Sequence, residues 1–298
     1  MVQVIDQYKK EYGVESICAV LPIAPSTYYR HKHLQRHPEK QCGRALKDQV
    51  LCDEIMRIWN QSRQRYGRRK IYRELLSERF VVSYCTINRL MSKLKITGVS
   101  RGKRKFKSAQ PEKGDLPDLV NRVFEAKSPN QLWVADFTYV YTQSGWIYVA
   151  FVIDVYSRMI VGWCVSTKMT TDMVLTALEQ SLAERRPSQN LIHHSDRGSQ
   201  YLSIRYTNRL KEKNFSLSVG SKGDAYDNAL AETINGLYKA EVIHLNYSWK
   251  GKSDVEFATL EWVYWFNYQR IFEPLGYISP VEYETAYYKQ MEESDHAV

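Results

Sequence analysis

Three acidic side chains stand where an ionised carboxylate is either costly or well aimed. Asp136 interrupts the apolar run from Trp133 to Val140, and a charge there is expensive unless it is paired or bound to a cation. Asp196 closes the run Leu191-Ile192-His193-His194-Ser195, at the carboxyl end of a predicted strand, which is where ligands collect in open α/β sheets. Glu232 falls in the first turn of a helix-patterned stretch, with Asn228, Asn235 and Lys239 on its face. Carboxylates converging from such elements suit hard divalent cations: Mg²⁺, with Mn²⁺ as an alternative. Two such ions, about 3.5–4 Å apart, activate an attacking oxygen, stabilise a leaving oxygen and screen a phosphodiester. Spacing alone is weak support. Thirty-five residues separate Asp196 from Glu232, and a chain with 33 acidic residues produces such a gap by chance.

The elements that must position these acids are legible in the pattern. Residues 130–166 are dense in Val, Ile, Tyr, Trp and Phe, with turns at Ser144-Gly145 and Tyr156-Ser157-Arg158. They predict three antiparallel strands at about 132–141, 146–154 and 159–166. A helix over 171–185 follows, then the strand ending at Asp196, a helix over 202–213, the strand Phe215–Val219, a polar loop, and helices over 229–244 and 253–270. Hairpin strands followed by alternating helix and strand predict a mixed α/β core.

Upstream, the pattern is helical throughout. Residues 2–12 predict a short polar helix, and Ser26 is placed to cap another. In 44–62, Val50, Leu51, Ile55, Ile58 and Trp59 form an apolar stripe. Two short helices follow, one with Ile71, Leu75 and Leu76 inward and one capped by Ser83 with Ile87, Leu90, Met91 and Leu94 inward. With Arg68, Arg69, Lys70, Arg73, Arg89 and Lys93 on their outer faces, they read as a DNA-binding helix-turn-helix. The Gly-, Ser- and Lys-rich stretch beyond residue 97 reads as a linker, whose Arg101, Lys103, Arg104, Lys105 and Lys107 could lie along a phosphate backbone.

Charge agrees with this division. The chain of 298 residues carries a net charge of +9. Residues 1–115 hold 25 Lys/Arg against 11 Asp/Glu, and residues 116–298 hold 17 against 22. A basic first part and an acidic second part point to polyanion binding and cation holding respectively. Five scattered cysteines with no Cys-x-x-Cys pair argue against a disulfide framework. His31, His33, His37 and Cys42 match no standard zinc spacing. No apolar leader and no run of 18 apolar residues is present, so a cytoplasmic, nucleoid-associated protein without a membrane span is expected.

Other residues have structural readings beside functional ones. His193 and His194 could orient a bound water or phosphate, or simply pack. Asp224 and Asp227 read as loop residues, with Asn228 the better N-cap of the following helix. Asp154 reads as a turn residue, and Trp262, Trp265 and Phe266 as core. Arg197 and Lys222 could touch phosphate.

The segments Asp136-Phe-Thr-Tyr139, His193-His-Ser-Asp-Arg-Gly-Ser-Gln-Tyr201 and Gly223-Asp-Ala-Tyr-Asp-Asn-Ala-Leu-Ala-Glu232, with Lys239 beyond, strongly resemble the catalytic core of retroviral-integrase-like DDE transposases. The second-frame (OrfB-type) transposases of the insertion-sequence three family are the nearest resemblance. It extends to Tyr66-Gly-Arg-Arg-Lys-Ile71 and to the tail from Asn267 to Tyr283. It implies an RNase H-like mixed sheet flanked by helices, preceded by a small all-α helix-turn-helix region. It divides the chain into a helical segment (1–43), a helix-turn-helix (44–97), a basic linker (98–127), the DDE core (128–245) and a helical extension (246–298).

The same resemblance implies that Asp136, Asp196 and Glu232 are the metal ligands, two ions per site. Lys239, with Asn235 and Arg197 nearby, would contact terminal DNA. The implied reaction is hydrolysis at the ends of an insertion element followed by 3′-OH strand transfer, one end first attacking the other. The implied partners are duplex DNA (terminal repeats and target), further copies of the chain in a synaptic complex, and a first-frame (OrfA-type) product supplying a leucine zipper that is missing here. Where the family often has Arg-Pro-His, this chain has Arg270-Ile271-Phe272. An RNase H-like nuclease without strand transfer and a non-catalytic DNA-binding regulator are the competing readings.

Overall fold

The computed structural model describes residues 1–100, 117–120, 122–187, 190–220, 228–246 and 248–296. Its elements run α1 (Val2–Tyr12), α2 (Val14–Val20), α3 (Pro25–Arg36), α4 (Gly43–Gln61), α5 (Arg68–Ser77), α6 (Tyr84–Leu94), β1 (Leu132–Thr142), β2 (Gly145–Asp154), β3 (Ile160–Ser166), α7 (Thr171–Arg185), β4 (Ile192–Ser195), α8 (Ile204–Glu212), β5 (Ser216–Val219), α9 (Ala229–Glu241), α10 (Lys252–Tyr268) and α11 (Pro280–His296). Among the described residues, no helix is long and apolar enough to cross a membrane.

The five strands form one sheet in the order β3-β2-β1-β4-β5. The β1–β2 and β2–β3 pairs are antiparallel, and β1–β4 and β4–β5 are parallel. This is the RNase H-like mixed sheet expected. β1 is central and therefore apolar on both faces. Val134, Val140 and the β2 residues Phe151 and Ile153 share a buried cluster with Ile234, Tyr238, Trp262 and Phe266 of α9 and α10. Trp133 and Ala135 share another with Val174 and Leu178 of α7 and with Tyr206 and Leu210 of α8. Helices thus cover both faces. Gly162 lets α7 approach closely, since a Cβ there would lie 2.1 Å from Ser181 Oγ and 2.2 Å from the Ala177 carbonyl.

The helix-turn-helix is present as α5 and α6, backed by α4. Ser83 caps α6 as expected, its hydroxyl accepting the Thr86 N–H at 3.3 Å. Three sequence expectations need correction. Val50 is exposed, because the buried face of α4 runs through Cys52, Ile55 and Ile58 and a residue two before Cys52 points elsewhere. Leu76 is exposed as well, about 100° round the helix from buried Leu75. The cap of α3 is Ala24, with Pro25 in the first turn and Ser26 already inside the helix. Pro25 fixes that start, being suited to the first helical position.

Residues 1–36 have a core of their own. Ile5, Cys18 and Tyr28 pack together, and the Asp6 carboxylate accepts from the Tyr28 hydroxyl at 2.9 Å and pairs with Lys9 and Lys32. The helix-turn-helix, by contrast, shares its core with the sheet and α10. Cys52, Ile55 and Tyr66 belong to the cluster that contains Trp265 and Phe266. The Tyr66 hydroxyl donates to the Gln269 carbonyl at 3.3 Å and accepts the Ile271 N–H at 2.9 Å.

Candidate active site

The parallel register sets the first two acids. Ala135 of β1 pairs with Ser195, the last residue of β4, so Asp136, next in β1, stands beside Asp196, the first residue past β4. Asp136 Oδ1 accepts the N–H of Phe137 at 2.8 Å, and its Oδ2 accepts Asn235 Nδ2 at 2.9 Å. Asp196 Oδ1 accepts the Gly198 N–H at 3.0 Å. α9 supplies the third acid. Its Glu232, Asn235 and Lys239 lie at helical spacings of three and four and line one cavity of about 370 Å³ together with Asp136, Tyr139 and His244. Lys239 Nζ lies 4.6 Å from the centre of the Tyr139 ring.

Electrostatics couples the three acids. Burial, then repulsion from Asp196 and to a lesser extent from Glu232, pushes Asp136 up to about 7, against the Phe137 and Asn235 hydrogen bonds that favour its ionised form. Burial also raises Asp196, opposed by the Gly198 N–H and by His194. Such mutual repulsion is what a bound cation relieves. The donors are all hard oxygens, and Asn235 Oδ1 in the same cavity is buried without a partner. The set therefore fits divalent cations in its chemistry. The acids are not gathered into a ready cage: Asp196 stands outside the lining of the cavity, and among the described residues no three His, Cys, Asp or Glu are close enough to hold an ion.

Asn228 is the residue preceding α9, as expected, but its side chain does not cap the helix. It donates to the Ala135 carbonyl at 2.9 Å and so ties the start of the helix of Glu232 to β1 beside Asp136. That role was invisible in the sequence, because the partner lies 93 residues away. His193 and His194 are both fully buried. His193 meets the Tyr206 hydroxyl at 3.0 Å and His194 the Ser218 hydroxyl at 2.9 Å, so both hold β4 in place. Tyr201, from the motif around Asp196, is buried between Phe137 and Tyr206. Asp154 accepts from Ser157 and Asn130, as a turn residue does. Trp262, Trp265 and Phe266 are core.

The basic residues divide. Arg69 is exposed, 3.8 Å from Glu273, and Arg68 is exposed and bonded to Asn88 at 2.6 Å. Arg197 donates to the Gly220 carbonyl at 2.8 Å. Lys70, expected on an outer face, is half-buried with its Nζ 4.8 Å from the Tyr66 ring centre, because α5 packs against the core rather than standing free. Arg101, Lys103, Arg104, Lys105 and Lys107, like Lys222, Asp224 and Asp227, lie outside the described residues.

Sequence reasoning also missed a buried cluster at the far end of α9. Arg270 donates to Glu241 at 2.7 Å and Trp262 Nε1 donates to the same carboxylate at 3.0 Å. Arg65 donates to the Glu241 carbonyl oxygen at 2.7 Å. The motif ending in Arg270 was the available signal, but its partner could not be read from one chain.

Family models for an integrase core domain match residues 126–225 and, in a second part, 232–287, and a model for an HTH-like domain matches residues 45–104. The chain is 50% identical to a transposase for insertion sequence element IS629 of Shigella sonnei over 297 residues, all of both chains. It is 48% identical to a putative transposase for insertion sequence element IS986/IS6110 of Mycobacterium tuberculosis, over 91% of this chain and 98% of that one. It is 33% identical to transposase InsF for insertion sequence IS3A of Escherichia coli K12, over 80% and 83%. Among solved structures, the HTLV-2 integrase catalytic core domain in complex with magnesium is similar at a TM-score of 0.44 and 16% identity, covering 54% of this chain and 99% of that one.

Proposed function

Because the chain belongs to the insertion-sequence three family of transposases, we propose that Asp136, Asp196 and Glu232 are the carboxylates with which it cuts and joins DNA. It is a DDE-type transposase, a polynucleotidyl transferase that acts in DNA transposition. It depends on divalent metal, as integrase cores do. Our reading is two Mg²⁺ ions per site, with Mn²⁺ able to substitute. The observation that carries the assignment is the cavity shared by Asp136 and Glu232, where Asn235 of the same helix face holds Asp136 and the β1–β4 register brings Asp196 alongside.

When bound, the cations supply Lewis acidity and neutralise charge at the phosphodiester. The chain's own groups do the rest. Phe137 N–H and Asn235 fix the two oxygens of Asp136. The Gly198 N–H fixes one oxygen of Asp196. Asn228 anchors α9, and with it Glu232, to β1. Lys239, from the same cavity, brings a positive charge to the DNA beside the acids. In our reading, hydrolysis at an element end frees a 3′-OH, and that hydroxyl then attacks a second phosphodiester in line.

The substrates are duplex terminal repeats and target DNA. In our reading residues 44–97 grip the repeats and 128–245 do the chemistry, extended by 246–298, with 98–127 the basic linker between them. Residues 1–43 are a separate helical segment. Two ends must be held together, so the working form is a homo-oligomer, joined by a first-frame product or fused to it, and it acts in the cytoplasm at the nucleoid.

Labelled element-end duplexes test the triad directly. Glu232→Gln is expected to reduce both cleavage and 3′-end joining at least 10³-fold while leaving end binding within about twofold. Cutting at the wild-type rate by Glu232→Gln would remove Glu232 from the site. Cleavage by the wild type without any joined product would leave a nuclease.

A further inference from the structure

A groove of about 750 Å³ separates the start of α5 and the body of α6 from the C-terminal end of α9. Arg65, Arg68, Arg69, Lys70 and Arg270 line it, against only two carboxylates, Glu241 and Glu273. Those carboxylates are already engaged: Glu241 by Arg270 and Trp262, and Glu273 by Arg69. The groove therefore keeps a surplus of positive charge in a partly desolvated place.

Three observations point to an anion as the complement of this surplus. Lys70 has no ion pair or hydrogen bond among the described residues and rests on the Tyr66 ring; burial and the neighbouring Arg270 push it down to about 7. The Nη1 atoms of Arg65 and Arg270 are both buried without partners, and Arg270 as a whole is 3% exposed. α5, ten residues long, is preceded by Gly67 and has no side-chain cap and no acid in its first turn; Gly67, Arg68, Arg69 and Lys70 line the groove, which puts the positive end of the helix at its wall. Close backbone packing shapes that end: a Cβ on Gly98 would lie 2.3 Å from the Gly67 nitrogen.

We infer that this groove is a phosphate-binding site, built from the N-terminus of α5 with Lys70 and Arg65, that takes a backbone phosphate of the duplex held by the helix-turn-helix. The inference rests on the reading that residues 44–97 bind DNA. It adds that one phosphate is held at the joint between that region and the core, against the end of the helix that begins near Glu232. Arg270 neutralises Glu241, so that this carboxylate does not repel the phosphate.

The test uses the full-length protein with an element-end duplex, and separately with inorganic phosphate. Lys70→Gln is expected to weaken duplex binding about tenfold and to lower the slope of log K against log salt by about one. Lys70→Arg, which keeps the charge, should keep the slope. Unchanged affinity and slope in Lys70→Gln would overturn the proposal, and so would weaker binding at an unchanged slope, since that reports a structural effect. Amine labelling of Lys70 read by mass spectrometry gives the second arm. Protection by duplex at concentrations where inorganic phosphate protects poorly supports the DNA phosphate, whereas equal protection by inorganic phosphate overturns that source. Should the wild type bind no duplex, the DNA-binding reading fails by itself, and a Lys70 that phosphate also leaves unprotected overturns the site.

Discussion

Asn235 Nδ2 donates to Asp136 Oδ2 at 2.9 Å, joining the helix of Glu232 to the strand of Asp136. This bond holds the Asp136 carboxylate in one orientation, as partners behind metal ligands commonly do. Asn235→Ala is therefore expected to raise the Mg²⁺ concentration for half-maximal cleavage about 10- to 100-fold, a larger effect than on duplex binding. Superimposable metal titrations for the two proteins would show that the bond does not orient a ligand.

Repulsion among the acids predicts a cation response in stability. With Asp136 raised chiefly by burial and then by Asp196, the metal-free site stores unfavourable charge. Mg²⁺ or Mn²⁺ should raise the unfolding temperature, by the equivalent of about 2.7 kcal/mol at a hundredfold excess over Kd, and a chelator should reverse it. Asp136→Asn should melt higher than wild type without metal and lose most of the response. A full cation shift in that variant, read by calorimetry, would place the ions elsewhere.

The strands and the helix-turn-helix are legible in the sequence because their signals are local. Alternating or continuous β-branched and aromatic residues mark β1 to β3, and Ser83 marks the start of α6 through a bond only three residues long. What the sequence hides depends on distant partners. Asn228 looks like a cap, but its side chain reaches the Ala135 carbonyl instead. Lys70 looks like a surface cation because its own helix has an open face, and only the packing of α5 against the core covers it. The three acids stand out in the sequence by their motif flanks, while the placing of Asp136 beside Asp196 depends on the β1–β4 register.

His193 makes acid sensitivity specific. Burial, reinforced by His194, holds its pKa down to about 3, whereas an exposed histidine protonates near 6.5. Between these values the unfolded chain binds the extra proton, so this contribution is complete above pH 6.5 and falls as pH drops towards 3, by about 1.4 kcal/mol per pH unit. His193→Gln, which cannot titrate, should flatten that dependence in urea unfolding measured from pH 7 to 4. An identical slope would mean that His193 is not kept neutral.

Gly162 predicts a steric cost. A methyl group there meets Ser181 Oγ and the Ala177 carbonyl at 2.1 and 2.2 Å, and the second contact is backbone that cannot rotate away. Gly162→Ala should force α7 off β3 and destabilise the protein by about 1–3 kcal/mol. Gly162→Ala combined with Ser181→Ala should recover only part, because the carbonyl remains. Chemical denaturation with an unchanged midpoint for Gly162→Ala would show that the layer is loosely packed.

The Glu241–Arg270 pair predicts strong non-additivity. Both residues are buried, at 6% and 3% exposure. Arg270, with Lys70 and the Trp262 N–H assisting, keeps Glu241 ionised, its carboxyl below the usual range despite its burial. Arg270→Met leaves that carboxylate buried and uncompensated, at a cost of about 3–5 kcal/mol. Glu241→Gln should cost a similar amount by stranding the guanidinium. The double variant removes both charges and should lose clearly less stability than the sum of the two single losses, with a coupling energy of about 1–3 kcal/mol in urea unfolding. Because Glu241 ends the helix that begins near Glu232, loss of the pair should also lower cleavage more than duplex binding. Strict additivity, with cleavage and binding falling together, would reduce the pair to ordinary packing.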